Sequence, residues 1–226
     1  MGEIIEIRST AADGFTFGAY HAAPAIGRKG GVIVLQEIFG LDEHVRRDVD
    51  RWASLGFEAL APSLFDRREP GFLAGHDAAG MTAGIAHARA TPLDQALCDV
   101  AACRDHLAPL GKVFIVGYYY GGSLAWLAAC NLDGLAGASS YYGSLVKANA
   151  DQTPRCPTIV HLGRLDAGIP ADEVNAAVQS ANPGVAVHIY EDAGHGFNNE
   201  DPARHNGAAA ELARRRTLEL FAAQHG

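Results

Sequence analysis

Apolar residues run along this chain in two alternating forms. Some are short unbroken runs; others are longer stretches with apolar positions three or four apart. The runs at residues 31–35 and 113–116 are wholly apolar and those at 57–61 and 158–162 mostly so, as expected of strands covered on both sides by helices. Two further strands are predicted at the start, residues 4–7 and 15–21, joined by a turn over Ala11, Ala12, Asp13 and Gly14. Two more are predicted at 136–142 and 185–191. Between the runs, Asp42 can cap a helix that buries Val45, Val49 and Trp52 and stops at Gly56. Thr91, Pro92 and Asp94 mark another helix start: a capping hydroxyl, a proline in the first turn and a carboxylate near the N-terminus. One face of that helix would carry Leu93, Leu97, Val100, Arg104 and Leu107. Helices are also expected from Gly121 onward, over 171–180 and over 208–223. Residues 63–90, rich in Gly, Ala, His and Arg, show no clear period and are read as an irregular excursion over the sheet.

Strands alternating with helices imply an α/β fold, a mostly parallel central sheet with helices on both faces. No repeat or composition break interrupts it, so a single domain over 1–226 is expected. Composition adds a few exclusions. A chain of 226 residues that is 48% hydrophobic can bury one sizeable core. Its net charge of -8, with both signs interspersed, argues against a nucleic-acid or anionic-membrane partner. No stretch approaches the roughly 18 apolar residues of a membrane span, and residues 1–8 lack the pattern of a signal peptide. Cys98, Cys103, Cys130 and Cys156 show no CxxC spacing, and the first three fall in helical patterns. Reduced thiols in a cytoplasmic protein are the expectation. The histidines other than His195 are scattered without metal-ligand spacing, so neither a metal nor a cofactor is expected.

Ligands on such sheets bind beyond the carboxyl ends of the strands, and four strand ends carry unusual residues. Gly117, Tyr118, Tyr119, Tyr120 and Gly121 have the Gly-x-X-x-Gly spacing of a nucleophile elbow, the tight strand-to-helix turn that lifts one side chain above a sheet. Asp166 follows the run at 158–162, His195 follows 185–191, and Gln36 to Gly40 follow 31–35. Taken singly, an Asp in a Gly-Pro loop or a His between glycines is ordinarily a turn residue. The conjunction carries the argument: elbow, Asp and His in the chain order of α/β-hydrolases, each after a predicted strand. His195 would take a proton from the nucleophile, Asp166 would orient the imidazole, and backbone N–H groups of Tyr120 and Ile38 could stabilise an oxyanion.

Gln36-Glu37-Ile38-Phe39-Gly40, Ala61 to Asp66, Gly117 to Gly122, Ser140 to Gly143, Gly163 to Pro170 and Gly194-His195-Gly196-Phe197 together resemble the dienelactone hydrolase family (carboxymethylenebutenolidases). These are small α/β-hydrolases that open lactone or ester bonds. The resemblance implies a Cys at the elbow, completed by an Asp and a His, with a Glu near the thiol. By position these are Tyr119, Asp166, His195 and Glu37, with Ile38 and Tyr120 as oxyanion donors. Tyr142 and Phe39 are expected to line the pocket, and Arg67 and Arg89 to meet a substrate carboxylate; Arg68 and Arg204 are further candidates. The expected partner is a small ester or lactone, and the protein a monomer or small homo-oligomer.

Tyr119 breaks the family pattern. A phenol titrates near 10, so forming a phenolate at neutral pH costs about 4 kcal/mol, and its oxygen stands well beyond the place of a thiol sulfur. Ser123, one helical turn on, faces away and does not replace it. The expectation is a hydrolase site with a blocked elbow and little turnover. The alternatives are a binding module that stacks a flat ligand on Tyr118 to Tyr120, or a site in which the phenol donates a proton to a bound oxyanion.

Overall fold

A computed structural model describes residues 2–225. Eight strands run in the order β1-β2-β4-β3-β5-β6-β7-β8, and the chain divides into two compact units, Met1–Ile115 and Val116–Gly226. In the first unit β1 (Glu3–Arg8) and β2 (Thr16–Ala22) pair antiparallel, with Ile4 opposite Tyr20. The turn between them closes where the Gly14 N–H donates to the Ala11 carbonyl, with Gly14 at φ 57°. β2 is antiparallel to β4 (Glu58–Pro62), and β4 is parallel to β3 (Gly31–Leu35). Every residue of β3 and β4 is buried, including Glu58, which is paired with His21 and Arg28.

Helix α1 (Glu43–Ser54) packs on β2, β3 and β4. Asp42 caps it, accepting from the Val45 N–H, and Val45, Val49 and Trp52 form the buried stripe. Two other helices depart from the sequence expectation. Residues 78–90 are helical, not irregular: α2 (Ala78–Ala90) is capped by Asp77, whose carboxylate accepts from the Gly80 N–H. Its buried positions are Gly80 and Gly84, packed by backbone approach, so no apolar period announces it. Thr91 does not cap α3 (Leu93–Leu107); its hydroxyl donates back to the His87 carbonyl and ends α2. The buried face of α3 is also shifted, with Ala96, Asp99, Val100, Cys103 and Leu107 inside and Leu93 exposed. Asp99 can lie inside because the Arg67 guanidinium bonds both its oxygens, at 2.8 and 3.1 Å.

The second unit is built on β5 (Val113–Tyr118), which spans the boundary, β6 (Leu135–Tyr141), β7 (Thr158–Gly163) and β8 (Ala186–Tyr190). β6, β7 and β8 are parallel. Helix α4 (Tyr120–Asn131) packs on β6, α5 (Ala171–Ala181) on β8, and α6 (Gly207–Ala222) on β6 and β7. The α4–β6 approach is close: a Cβ on Gly122 would lie 2.3 Å from the Tyr141 carbonyl oxygen. Gly122→Ala is therefore expected to cost about 2 kcal/mol or more. In a chain of this size that lowers Tm by roughly 4–8 °C, readable by calorimetry.

Behind β7 lies a buried polar cluster. Thr217 Oγ1 on α6 donates to the Ala213 carbonyl and lies within 3.1 Å of Ser139 Oγ, Tyr141 Oη and His161 Nε2. The single Thr217 proton is thereby used, so His161 donates from Nε2 and its Nδ1 accepts from the Tyr190 hydroxyl at 2.9 Å. Burial, then the neighbouring His188 and Arg216, holds the His161 pKa well below the usual histidine value; burial and Arg216 lower that of His188 as well. His161 stays neutral when folded and binds a proton when unfolded at acid pH. Its contribution is whole above the unfolded pKa of about 6.5 and is lost as pH falls toward the folded value. Unfolding free energies from urea titration are expected to fall between pH 7.5 and 5.5, by up to about 1.4 kcal/mol per pH unit for this group. His161→Gln is expected to flatten that dependence while lowering stability at pH 7.5.

Candidate active site

The strand-to-helix turn after β5 is an elbow in its backbone as well as its spacing. Tyr119 has φ 50° and ψ -104°, a conformation that costs a non-glycine residue about 1–3 kcal/mol. It is held from both sides. The Tyr119 N–H donates to the Tyr141 carbonyl at 3.0 Å, and the Tyr119 carbonyl accepts from Ser123 N–H and Ser123 Oγ at 2.9 and 3.1 Å. Gly117 is obligatory, since a Cβ there would stand 2.0 Å from the Gly121 oxygen. The second close approach falls at Gly122, one residue beyond the spacing motif. Ser123 Oγ also accepts from the Leu145 N–H, which accounts for its turning away from the elbow tip.

The loops that carry Asp166 and His195 are laced to each other by backbone. Past β7, Arg164 N–H donates to the Tyr190 carbonyl and Leu165 N–H to the Ala193 carbonyl, both at 2.9 Å. A Cβ on Gly163 would meet the Ala193 oxygen at 2.5 Å. Outside, the Arg164 guanidinium bridges Glu191 and Asp172. Asp166 is buried; its Oδ1 accepts from the N–H groups of Gly168 and Ile169, and its Oδ2 faces His195 Nδ1 at 2.7 Å. An ionised carboxylate can only accept, so Nδ1 carries the proton and Nε2 is left as the basic nitrogen. The His195 ring is about one-third exposed.

Tyr119 meets this pair through its ring. The Tyr119 and His195 rings pack edge to face, with centroids 4.8 Å apart and planes at 89°. Tyr142, buried and at φ 38°, packs on His195 at 5.5 Å and on Phe197 at 5.4 Å. Tyr119, Tyr142, Asp166 and His195 are thus gathered in the unit 116–226. Tyr118 and Tyr120 are buried, so of the three adjacent tyrosines only Tyr119 has partial access to solvent.

The other expected site residues lie in the unit 1–115. Glu37, Ile38 and Phe39 are buried, and Phe39 stacks on His76 at 4.1 Å. Helix α2 braces this loop: a Cβ on Gly84 would lie 2.2 Å from the Ile38 oxygen. Arg67, expected to meet a substrate, has its guanidinium committed to Asp99 and Asp13 and stacked on Phe15. The hydrogen bonds it donates to Asp99 lead the contributions that raise its pKa. Arg89 is exposed in the last turn of α2. Sequence reasoning passed over the Gly168 and Ile169 N–H donors, although the Asp-x-Gly turn around Asp166 signals them. It also missed Gly122 and Phe197, which bear no chemistry of their own. Among the described residues, no group of three or more His, Cys, Asp or Glu could hold a metal ion, and no helix is long and apolar enough to cross a membrane.

With this geometry in hand, known proteins can be compared. The profile of the dienelactone hydrolase family matches residues 17–225. A carboxymethylenebutenolidase of Pseudomonas putida is 32% identical over 221 residues, covering 93% of this chain and 92% of the relative. A crystal structure titled "Putative Dienelactone Hydrolase" from Klebsiella pneumoniae subsp. pneumoniae superposes with a TM-score of 0.84 at 28% identity, covering 98% of this chain and 99% of that one. The dienelactone hydrolase-like promiscuous phosphotriesterase P91 shares the fold, with a TM-score of 0.76 at 19% identity. On the strength of the family match and of the sheet, elbow and loops that agree with it, this chain belongs to the dienelactone hydrolase family and has the α/β-hydrolase fold.

Proposed function

We propose that this chain is an ester- or lactone-hydrolase scaffold, cytoplasmic and directed at a small-molecule substrate, in which Tyr119 closes the nucleophile position and suppresses turnover. The observation that carries the reading is the contact at the elbow. His195 is hydrogen-bonded to Asp166 in the tautomer a general base requires, yet its ring packs at a right angle against the ring of Tyr119 instead of facing a thiol. With a thiol at position 119, His195 Nε2 would accept its proton as the sulfur attacked the ester carbonyl. Asp166 would stabilise the imidazolium, His195 would return the proton to the leaving alcohol, and water activated by His195 would release the acid. In keeping with the family likeness, Glu37 would govern protonation of the nucleophile, and the N–H groups of Ile38 and Tyr120 would stabilise the oxyanion. Tyr142 would border the acyl group beside His195.

The test is Tyr119→Cys, assayed with an activated aryl ester. Hydrolysis is expected to rise at least roughly a hundredfold over the parent chain, with an acyl adduct on Cys visible by mass spectrometry. His195→Gln in that background is expected to remove the gain. Neither turnover nor adduct from a folded Tyr119→Cys protein would overturn the triad assignment. If the parent chain still bound a small ligand, the binding-module reading would then stand in its place.

A further inference from the structure

A cavity of about 270 Å³ opens in the first unit, between the starts of β1 and β2, α1 and the segment after β4. Its apolar wall is Leu41, Phe72 and Leu73, with Ile4 at the rim. Leu73 is 62% exposed and Ile4 54%. They are two of only a few large apolar side chains among the described residues that face water, and both border the same hollow. Its two charged groups are not equivalent. Asp66 is buried and engaged: Oδ1 accepts from Ser63 Oγ and the Gly71 N–H, Oδ2 from the Gly18 N–H. Arg46 is exposed and only partly engaged. Its Nε donates to the Leu41 carbonyl at 2.8 Å and its guanidinium lies over the Tyr20 ring, which orients the fork; among the described residues its Nη groups have no hydrogen-bond acceptor.

An apolar hollow with one oriented, unfilled guanidinium at its edge suits a particular chemistry. We propose that it binds a small monocarboxylate with an apolar tail, the carboxylate on the Arg46 Nη groups and the tail against Leu41, Phe72 and Leu73. The site is preformed, which keeps the ordering cost of binding low. Gly40 forms a bridge with Leu73, and a Cβ on Gly40 would lie 2.0 Å from the Phe72 oxygen, so this wall is fixed by backbone. The proposal does not depend on the reading of Tyr119, since every residue it uses lies in the unit 1–115.

The test is titration of the full chain with hexanoate, followed by amide chemical shifts. Saturable shifts are expected at Leu41, Arg46 and Gly71 to Leu73. Affinity should fall about tenfold for Arg46→Gln, and hexan-1-ol should bind about tenfold more weakly than hexanoate. Leu73→Glu, at an exposed position, should abolish hexanoate binding by placing a like charge at the mouth. Absence of saturable shifts in this set, or shifts centred on the Asp166 and His195 loops, would overturn the site. Equal binding of hexanol, or no effect of Arg46→Gln, would overturn its carboxylate chemistry.

Discussion

The arrangement of the second unit turns on one strained residue, Tyr119, held at positive φ between a carbonyl of β6 and the first turn of α4. Strain of this kind persists only where its surroundings leave no other conformation, and here they do not. Gly117 and Gly122 let the backbones of β5, α4 and β6 close to contact distance, which aims position 119 out of the sheet. The loops after β7 and β8 are then tied to each other by backbone hydrogen bonds, and His195 arrives against the Tyr119 ring already oriented by Asp166.

Much of this was legible in the sequence because it rests on backbone demands that few residues meet. The unbroken apolar runs became fully buried strands, and the glycine-spaced turn became an elbow at the expected place. The order of elbow, Asp166 and His195 foretold which side chains would meet. What stayed hidden is of a different physical kind. Helix α2 carries no apolar stripe because it packs through Gly80 and Gly84. The face of α3 was misjudged because Asp99 is inside, a polarity that makes sense only beside Arg67, distant in sequence. Arg67 is a candidate substrate contact by family resemblance, and nothing in the sequence reveals that Asp99 and Asp13 already hold it.

Within each unit polar groups are handled in two opposite ways, and the contrast separates structural from chemical use. Asp66, Asp99 and His161 are buried with their hydrogen-bonding capacity turned inward, where removing a partner would be costly. His195 and Arg46 are each fixed on one side and open on the other. A side chain that is both oriented and incompletely used can meet a ligand without first being reorganised.

Keeping the elbow while changing its occupant also has a genetic reading. Tyrosine and cysteine codons differ only at their middle base. Wherever a tyrosine codon specifies position 119, one transition delivers a thiol into a turn that is already strained, beside an imidazole that already holds its proton on the far nitrogen. The tyrosine-bearing and thiol-bearing forms of this scaffold are therefore mutational neighbours, and selection could pass between them without first rebuilding the fold.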